Sequence, residues 1–290
     1  MALWKDDHEM FQLMKEKLYT PVVGDILDAM GYKHQFLPAT IRPLACIVPA
    51  GVIAPVSTAE NRMKVAGFAC TVLENDVFGV PQKPFGFLTE ALDQLRPDEI
   101  YVATGAHNSA LWGELLTATA KTRGAVGAVL DGYSRDTPQV LEQNFPVFCN
   151  GVWAQDSSVR TYVFDFRCDI EIGHVTIHDG DVVFGDVDGV LIIPRAVAKE
   201  VIEKALEKAS KEKNYAKSHR GRHEQHGSLQ NLWSFIRKCK KAVCRFLFYL
   251  TACISAIIDV LIWAVILARI SSRSSLRRAR IILSCSTSFS

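Results

Sequence analysis

Several motifs that identify common enzyme classes are missing from this sequence of 290 residues. It contains no G-x-G-x-x-G and no Walker loop, so the usual signals of dinucleotide and nucleoside triphosphate binding are absent. It also lacks an H-E-x-x-H segment, so zinc peptidase chemistry is not indicated. The first ten residues, MALWKDDHEM, carry charges where a signal peptide would be apolar, so we expect no cleavable signal.

No C-x-x-C pair occurs among the eight cysteines, which argues against a zinc ribbon or a redox motif. Four of them, Cys46, Cys70, Cys149 and Cys168, lie in the first 218 residues, in apolar surroundings such as GFAC and PVFC. We expect these four to be buried free thiols of a protein in a reducing compartment. Hydrophobic residues make up 49% and charged residues 22% of the chain, which excludes disordered and collagen-like classes.

The formal net charge of +2 is the sum of two unlike parts. Residues 219–290 contain 12 Lys and Arg against two acidic residues, about +10, which leaves 21 − 29 = −8 for residues 1–218. We therefore predict an acidic globular domain at 1–218, a basic polar linker at 219–245, an apolar segment at 246–268 and a basic, Ser-rich tail at 269–290.

The segment 246–268 has 23 residues and a single charge, Asp259, which is long enough for a transmembrane helix. Basic residues flank it on both sides, so they set no orientation, and they indicate no nucleic-acid partner. Two other interpretations stay open: an amphipathic or assembly helix, and a segment produced by a faulty gene model. The prediction is thus a cytoplasmic catalytic domain with membrane association through 246–268 as one alternative.

Hydrophobic periodicity predicts helices over residues 7–18 and 20–31, the second with Thr20 as N-cap and Gly31 closing it. Short apolar runs at 66–73, 99–104, 124–132 and 145–153 predict strands, and the run at 109–124 between two of them suits a helix. A strand–helix–strand order with short connections indicates a crossover and an at least partly parallel sheet. A last helix is expected to end near Lys217.

The aspartate-rich run DGDVVFGDVDG could suggest a calcium loop. It lacks the EF-hand spacing and the twelfth-position glutamate. We therefore predict strands joined by Asp-Gly turns there.

Residues 104–136 form the stretch in which chemistry is most plausible, since both of its loops follow predicted strands and ligand crevices form at the carboxyl ends of strands in open α/β sheets. The amide groups of a helix start at Gly113 to Leu116 would attract a carboxylate, and Arg135 adds a positive fork. Asp136 and Glu114 are oxygen donors that, with water, suit Mg²⁺ or Mn²⁺. A strand-end turn with a structural Arg–Asp salt bridge is the alternative interpretation.

Three features make this chain resemble the family of 4-hydroxy-4-methyl-2-oxoglutarate aldolases and RraA, the regulator of ribonuclease E activity. They are Glu114 followed after twenty residues by Arg135-Asp136, the segment VLDGYSRD, and the run DGDVVFGDVDGVLIIP. The resemblance covers about residues 10–217. It implies an α/β fold of the swivelling β/β/α type, with a central mixed sheet flanked by helices, assembled as a homotrimer or hexamer with sites between subunits.

Carried over by residue, the resemblance implies a substrate-binding loop at Gly113, Glu114, Leu115 and Leu116, a catalytic and substrate-binding Arg135, and Asp136 as ligand of Mg²⁺, Mn²⁺ or another divalent metal. The implied reaction is a class II aldolase cleavage of a 4-hydroxy-2-keto dicarboxylic acid such as 4-hydroxy-4-methyl-2-oxoglutarate to pyruvate. Oxaloacetate decarboxylation passes through the same pyruvate enolate. Glu114 is our candidate catalytic base.

Other residues of the segment receive simpler interpretations. We expect His107 to be a hydrogen-bonding loop residue more than a catalyst, and Trp112 to pack beneath the loop. The resemblance implies an acidic residue at the Glu114 position in aldolase members of the family, and a glycine at the same position in the ribonuclease regulators. Glu114 therefore favours a carbon–carbon lyase over a non-catalytic regulator that binds a protein partner. A keto-acid lyase step in a specialised biosynthetic pathway is a third alternative, because residues 74–90 could reshape the pocket.

Overall fold

The computed structural model describes residues 3–47, 63–79 and 81–223, with side chains of the last helix placed through Glu212. The chain divides into two compact units, Met1–Tyr215 and Ala216–Ser290, and the described residues lie mostly in the first. Within the described ranges no helix is both long and apolar enough to cross a bilayer. The membrane span predicted at 246–268 lies outside those ranges and stays a prediction.

The described residues form seven α-helices and fourteen strands. The helices are α1 Asp7–Lys17, α2 Thr20–Ala29, α3 Leu44–Ile47, α4 Leu88–Asp93, α5 Glu114–Thr122, α6 Thr137–Glu142 and α7 Ala198–His223. The strands are β1 Arg42–Pro43, β2 Val65–Asp76, β3 Phe85–Gly86, β4 Glu99–Ala103, β5 Ala110–Trp112, β6 Gly127–Leu130, β7 Tyr133–Ser134, β8 Val147–Cys149, β9 Gly151–Val152, β10 Thr161–Phe166, β11 Ile170–Ile172, β12 Val175–Ile177, β13 Val182–Asp186 and β14 Gly189–Ile193.

A mixed nine-stranded sheet is the centre of the fold, as predicted. Its order is β1-β8-β6-β4-β2-β10-β3, and β13 pairs with both β2 and β14. Strands β2, β4, β6 and β8 pair in parallel, whereas β10 and β13 are antiparallel to β2. The predicted crossover is confirmed, because α5 lies in the chain between the parallel strands β4 and β6.

The parallel strands β4 and β6 are mostly apolar because both of their faces are covered, and Glu99 at the start of β4 is their one charged residue. Every residue of β4 and of β6 is buried. One hydrophobic cluster joins these strands to α4, α5 and α6, and another joins β13 and β14 to α1, α2 and α7. This packing fixes the carboxyl ends of β4 and β6, from which the site loops leave.

The aspartate-rich run forms the hairpin of β13 and β14, which confirms the prediction of turns. Its carboxylates bind backbone groups: Asp181 accepts the amide of Arg195 at 2.8 Å, and Asp186 accepts the amide and hydroxyl of Thr20 at 2.7 and 2.8 Å. Thr20 is therefore not the N-cap that the sequence suggested; α2 begins at Thr20, with Tyr19 preceding it. The reason is that a carboxylate from a distant hairpin satisfies the amide at the start of this helix.

Of the four cysteines predicted to be buried, two are buried, Cys168 is half-buried and Cys46 is exposed. Cys70 and Cys149 are buried free thiols, and burial raises the pKa of each to about 12. Cys46 is exposed, contrary to expectation. The two buried thiols are inert at neutral pH because the thiolate is the reactive form.

Candidate functional site

The two loops singled out by the sequence meet in a short parallel sheet at the carboxyl ends of β4 and β6. Strand β5 follows β4 and β7 follows β6. In the small sheet β7 pairs in parallel with both β5 and β9, so that the order is β5-β7-β9. The predicted helix over 109–124 is therefore wrong at its start, since Ala110–Trp112 is a strand and α5 begins at Glu114. This small sheet holds Gly113, at the end of β5, beside Arg135, at the end of β7.

Gly113 and Asp136 are in close contact. A Cβ atom at Gly113 would lie 2.6 Å from Oδ2 of Asp136, so only glycine leaves room for this carboxylate. The same oxygen accepts the backbone N–H of Glu114 at 3.3 Å, at the N-terminus of α5. An anion is favoured there, because the first amides of a helix lack intrahelical partners and the helix dipole is positive at this end.

The backbone of Asp136 is left-handed, with φ 51° and ψ 39°. Asp and Asn adopt this conformation more readily than other residues with a side chain. It lies between Arg135, whose N–H donates to the carbonyl of Trp112 at 2.9 Å, and the first turn of α6. The conformation turns the chain sharply out of β7 into α6 and leaves the carboxylate facing Gly113.

Arg135 lies between two carboxylates. Its Nη1 is 2.8 Å from Oδ1 of Asp156, and its Nε is 3.8 Å from Oδ2 of Asp136. The three side chains are 37–41% exposed, so each is accessible to a ligand. Ser158 donates its backbone N–H and its hydroxyl to Asp156, and these bonds, with Arg135, lower the pKa of that carboxyl.

Two cavities open beside this group, and Arg135 and Asp136 line both. The first, of about 330 Å³, is completed by the stretches 134–137 and 152–154. The second, of about 300 Å³, lies between α4 and the start of α5, and we call it the apolar cavity. Its apolar lining consists of Phe85, Leu88, Leu92, Ala110, Leu111, Trp112, Leu115 and Leu116.

Most of the predicted site residues come together here. Gly113, Leu115, Leu116, Arg135 and Asp136 all line the apolar cavity. Glu114 does not line either cavity; its side chain is exposed, and its backbone binds Asp136 and Gln143. Its role as a base stays a prediction.

The neighbouring residues have structural contacts. The exposed His107 donates its backbone N–H to Asp76 at 3.0 Å, and Asn108 binds the same carboxylate. The predicted packing role of Trp112 is confirmed, since it is 1% exposed and stacks on Phe145 with centroids 6.2 Å apart. The buried Trp112 indole is therefore not a direct candidate for chemistry, and the hydrogen bond found at His107 is made by its backbone.

Asp156 is the site residue that the sequence did not predict. It lies twenty residues after Asp136, in a loop with no motif, and the pairing of β9 with β7 brings it to Arg135. The one signal available was the segment AQDSS, in which an aspartate precedes two serines that can hold its carboxylate in a turn.

The oxygen ligand that Asp136 offers suits a hard divalent cation that keeps several water ligands. No group of three or more His, Cys, Asp or Glu side chains in the described ranges could enclose a metal. Asp136 offers one accessible carboxylate, held in place by Gly113 and the α5 amide. Mg²⁺ commonly binds through one or two carboxylates and water, whereas a structural zinc site needs four protein ligands.

Known proteins match this chain over part of its length. DlpA of Legionella pneumophila is 31% identical over 188 residues, which are 63% of this chain and 27% of DlpA. A protein of Halalkalibacterium halodurans named "Putative 4-hydroxy-4-methyl-2-oxoglutarate aldolase" is 35% identical over 121 residues, 41% of this chain and 57% of that protein. The chain thus spans about a quarter and somewhat over half of the lengths of these two relatives.

Solved structures share the fold. One, described as a novel cellulase from microbes of the gut ecosystem, has a TM-score of 0.64 and 32% identity over 74% of this chain and 90% of its own. RraAS2 of Streptomyces coelicolor, described as an unusual member of the RNase ES inhibitor RraA family, has a TM-score of 0.60 and 21% identity over 74% of this chain and all of its own. The RraA-like family described as Aldolase/RraA matches residues 20–192. The chain therefore belongs to the RraA-like family.

Proposed function

We propose that this chain is a divalent-metal-dependent carbon–carbon lyase that acts on a 2-keto acid and releases pyruvate. The observation that carries the proposal is the carboxylate of Asp136, fixed at the N-terminus of α5 beside Arg135 in the wall of two cavities. Relatives named for 4-hydroxy-4-methyl-2-oxoglutarate make that compound the first substrate to test, with oxaloacetate as a second.

Asp136, with water, would hold Mg²⁺ or Mn²⁺. When bound, the cation supplies positive charge that polarises the keto oxygen of the substrate. Arg135 donates N–H groups to the same end of the substrate, where negative charge develops as the bond breaks. The amides of the first turn of α5 bind the substrate carboxylate, as helix N-termini bind anions.

Glu114 is our candidate for accepting the proton of the 4-hydroxyl group. The bond between C3 and C4 then breaks, C4 becomes a carbonyl, and the electron pair remains with the pyruvate enolate. Protonation at C3 completes pyruvate. Asp156 keeps the guanidinium of Arg135 in place through this sequence.

The test is a pyruvate assay on the purified chain with each substrate, after EDTA treatment and after addition of Mg²⁺ or Mn²⁺. We expect activity only with metal, and a loss of about 10- to 100-fold or more in Asp136→Asn. Asp188→Asn is the matched control, because Asp188 is an exposed aspartate of the β13–β14 turn. Undiminished activity in EDTA, or full activity of Asp136→Asn, would refute the proposal; a stable protein partner without turnover would favour the non-catalytic regulator.

The oligomeric state of this chain is a separate prediction. Resemblance implies a homotrimer or hexamer with sites between subunits, and light scattering of the purified chain measures this directly.

A further inference from the structure

We propose that the 2-keto acid bound by this site carries an apolar group on C4 instead of a second carboxylate. C4 is the carbon that becomes the carbonyl carbon of the second product. The inference rests on the proposed function and names the substrate class of the same site. It comes from the shape and charge of the apolar cavity next to Arg135 and Asp136.

The wall of the cavity opposite α5 is mostly apolar and fixed. Phe85 precedes α4, and Leu88 and Leu92 on α4 are only 7% and 5% exposed. All three belong to or pack on the hydrophobic cluster that includes β4 and β6. The polar residue of this wall is the uncharged Thr89, whose hydroxyl donates to Glu90 at 2.9 Å, so the wall offers no cation to a second carboxylate.

The opposite wall, on α5 and the loop before it, is mostly apolar as well, with Thr119 as the polar residue that α5 contributes. Leu111 is buried, and Leu115 is 75% exposed at the start of α5. A volume of about 300 Å³ is at the lower end of the range of small-molecule pockets, about 300–1,000 Å³. The space suits one compact substituent, such as a phenyl ring or a branched alkyl group.

The charges of the lining do not suit a second carboxylate. Among the described lining residues, Arg135 is the one cation, and it is already paired with Asp156 at 2.8 Å. Lys83, two residues before Phe85 in the sequence, is not available either, because its ammonium group pairs with Glu90 and lies 4.7 Å from the ring centroid of Phe87. A second carboxylate would therefore be desolvated without a free cation to receive it, which is strongly unfavourable.

The reaction balances as in the proposed function. The 4-hydroxyl proton goes to the base, the C3–C4 bond breaks, and its electron pair forms the pyruvate enolate. The second product is a ketone or aldehyde that carries the apolar group, instead of a second molecule of pyruvate.

The experiment compares two substrates that differ only at this group. They are 4-hydroxy-4-methyl-2-oxoglutarate and 4-hydroxy-2-oxo-4-phenylpentanoate, in which phenyl replaces the second carboxylate. Pyruvate release from the full chain with Mg²⁺ or Mn²⁺ gives kcat/KM for each. We expect the phenyl compound to be favoured by at least about tenfold, the scale on which apolar pockets discriminate.

A pair of variants on α5 ties the preference to the cavity. Thr119 is exposed and lines the apolar cavity, whereas Thr122 is exposed on the same helix and does not line it. Each hydroxyl bonds the carbonyl four residues earlier, so the two sites are structurally matched. Thr119→Arg should shift the preference toward the dicarboxylate by about tenfold, and Thr122→Arg should leave it unchanged.

The outcomes are distinguishable. A kcat/KM for the dicarboxylate equal to or above that for the phenyl compound overturns this inference and leaves the lyase proposal standing. A phenyl preference that Thr119→Arg and Thr122→Arg change equally also overturns it, because the preference would not come from this cavity. Absence of metal-dependent pyruvate from both compounds and from oxaloacetate removes the lyase proposal, and this inference with it.

Discussion

At Gly113 the chain has no room for a side chain. Its φ of −165° is ordinary extended backbone, so alanine would cause no backbone strain there. The added methyl group would instead meet Oδ2 of Asp136 at 2.6 Å and push the carboxylate from its place. The requirement for glycine is thus imposed by the neighbouring carboxylate.

We predict that Gly113→Ala lowers metal-dependent kcat/KM by at least about tenfold while the protein still folds. Kinetics and Mn²⁺ binding by titration calorimetry are the measurements. Gly151→Ala is the control, since a Cβ there would meet its nearest atoms, those of Tyr133, at an ordinary 3.4 Å. Equal activity of the two variants would show that the position of Asp136 is not critical.

The pairing of Asp156 with Arg135 acts on function more than on stability. Both side chains are more than a third exposed, and exposed ion pairs contribute about 0–1 kcal/mol to unfolding free energy. We predict that Asp156→Asn lowers kcat/KM by about tenfold with little change in the urea midpoint. The matched control is Asp93→Asn, which removes an exposed Asp–Arg pair with Arg123 elsewhere on the surface; an equal loss in that variant would contradict the positioning role.

The residues of the site differ in how far a sequence can predict them. Gly113, Arg135 and Asp136 lie in one segment whose spacing carries the family pattern, so they were predictable. Asp156 was not, because its contact with Arg135 is created by the parallel pairing of β7 with β9. No local pattern records a pairing of that kind.

The central strand β2 contains an unusual buried acid. Glu74 is 3% exposed, its Oε1 accepts the hydroxyl of Thr161 at 3.2 Å, and its Oε2 has no partner among the described residues. Burial raises its pKa to about 8, an effect that the Thr161 bond opposes and Asp76 reinforces. The carboxyl group is therefore largely protonated at neutral pH in the folded protein.

This raised pKa predicts how stability depends on pH. The pKa of Glu74 is about 8 in the folded protein and 4.5 in the unfolded chain. The stability that Glu74 contributes is therefore fully present below pH 4.5 and is lost as the pH rises through about 8. Between pH 6 and 9 the loss should be on the order of 2–3 kcal/mol. Urea unfolding at both values should show it in the wild type, and Glu74→Gln should be less sensitive to pH.

Glu171→Gln is the control for this prediction, because Glu171 is an exposed glutamate on β11. Its pH dependence should match that of the wild type. If Glu74→Gln also retains the full wild-type dependence, the pH effect has another origin.

Long elements were easier to predict than short ones. The helices α1 and α2 and the β4–α5–β6 crossover have enough residues to show a period. Strands β5, β7 and β9 have three, two and two residues, too few for any alternation to appear. Leu111 and Trp112 therefore looked like part of the helix that follows them.

The whole chain combines an acidic domain with a basic remainder, −8 over residues 1–218 against about +10 over 219–290. Every residue assigned here to the site belongs to the acidic part. We predict that a chain of residues 1–218 keeps the metal-dependent kcat/KM of the full protein. Pyruvate assays on both proteins under the same conditions are the measurement, and a clear loss in the shorter one would mean that residues 219–290 contribute to the site or to its assembly.

The sheet formed by β5, β7 and β9 has a consequence for amide hydrogen exchange. The amides of Arg135 and Trp153 donate to the carbonyls of Trp112 and Ser134, each at 2.9 Å, and thereby link three site loops to one another. Exchange at these amides requires the loops to separate, so it should be slow and should change little when substrate analogues bind. The loops would then exchange as one cooperative unit, and a ligand would meet a site already ordered in solution.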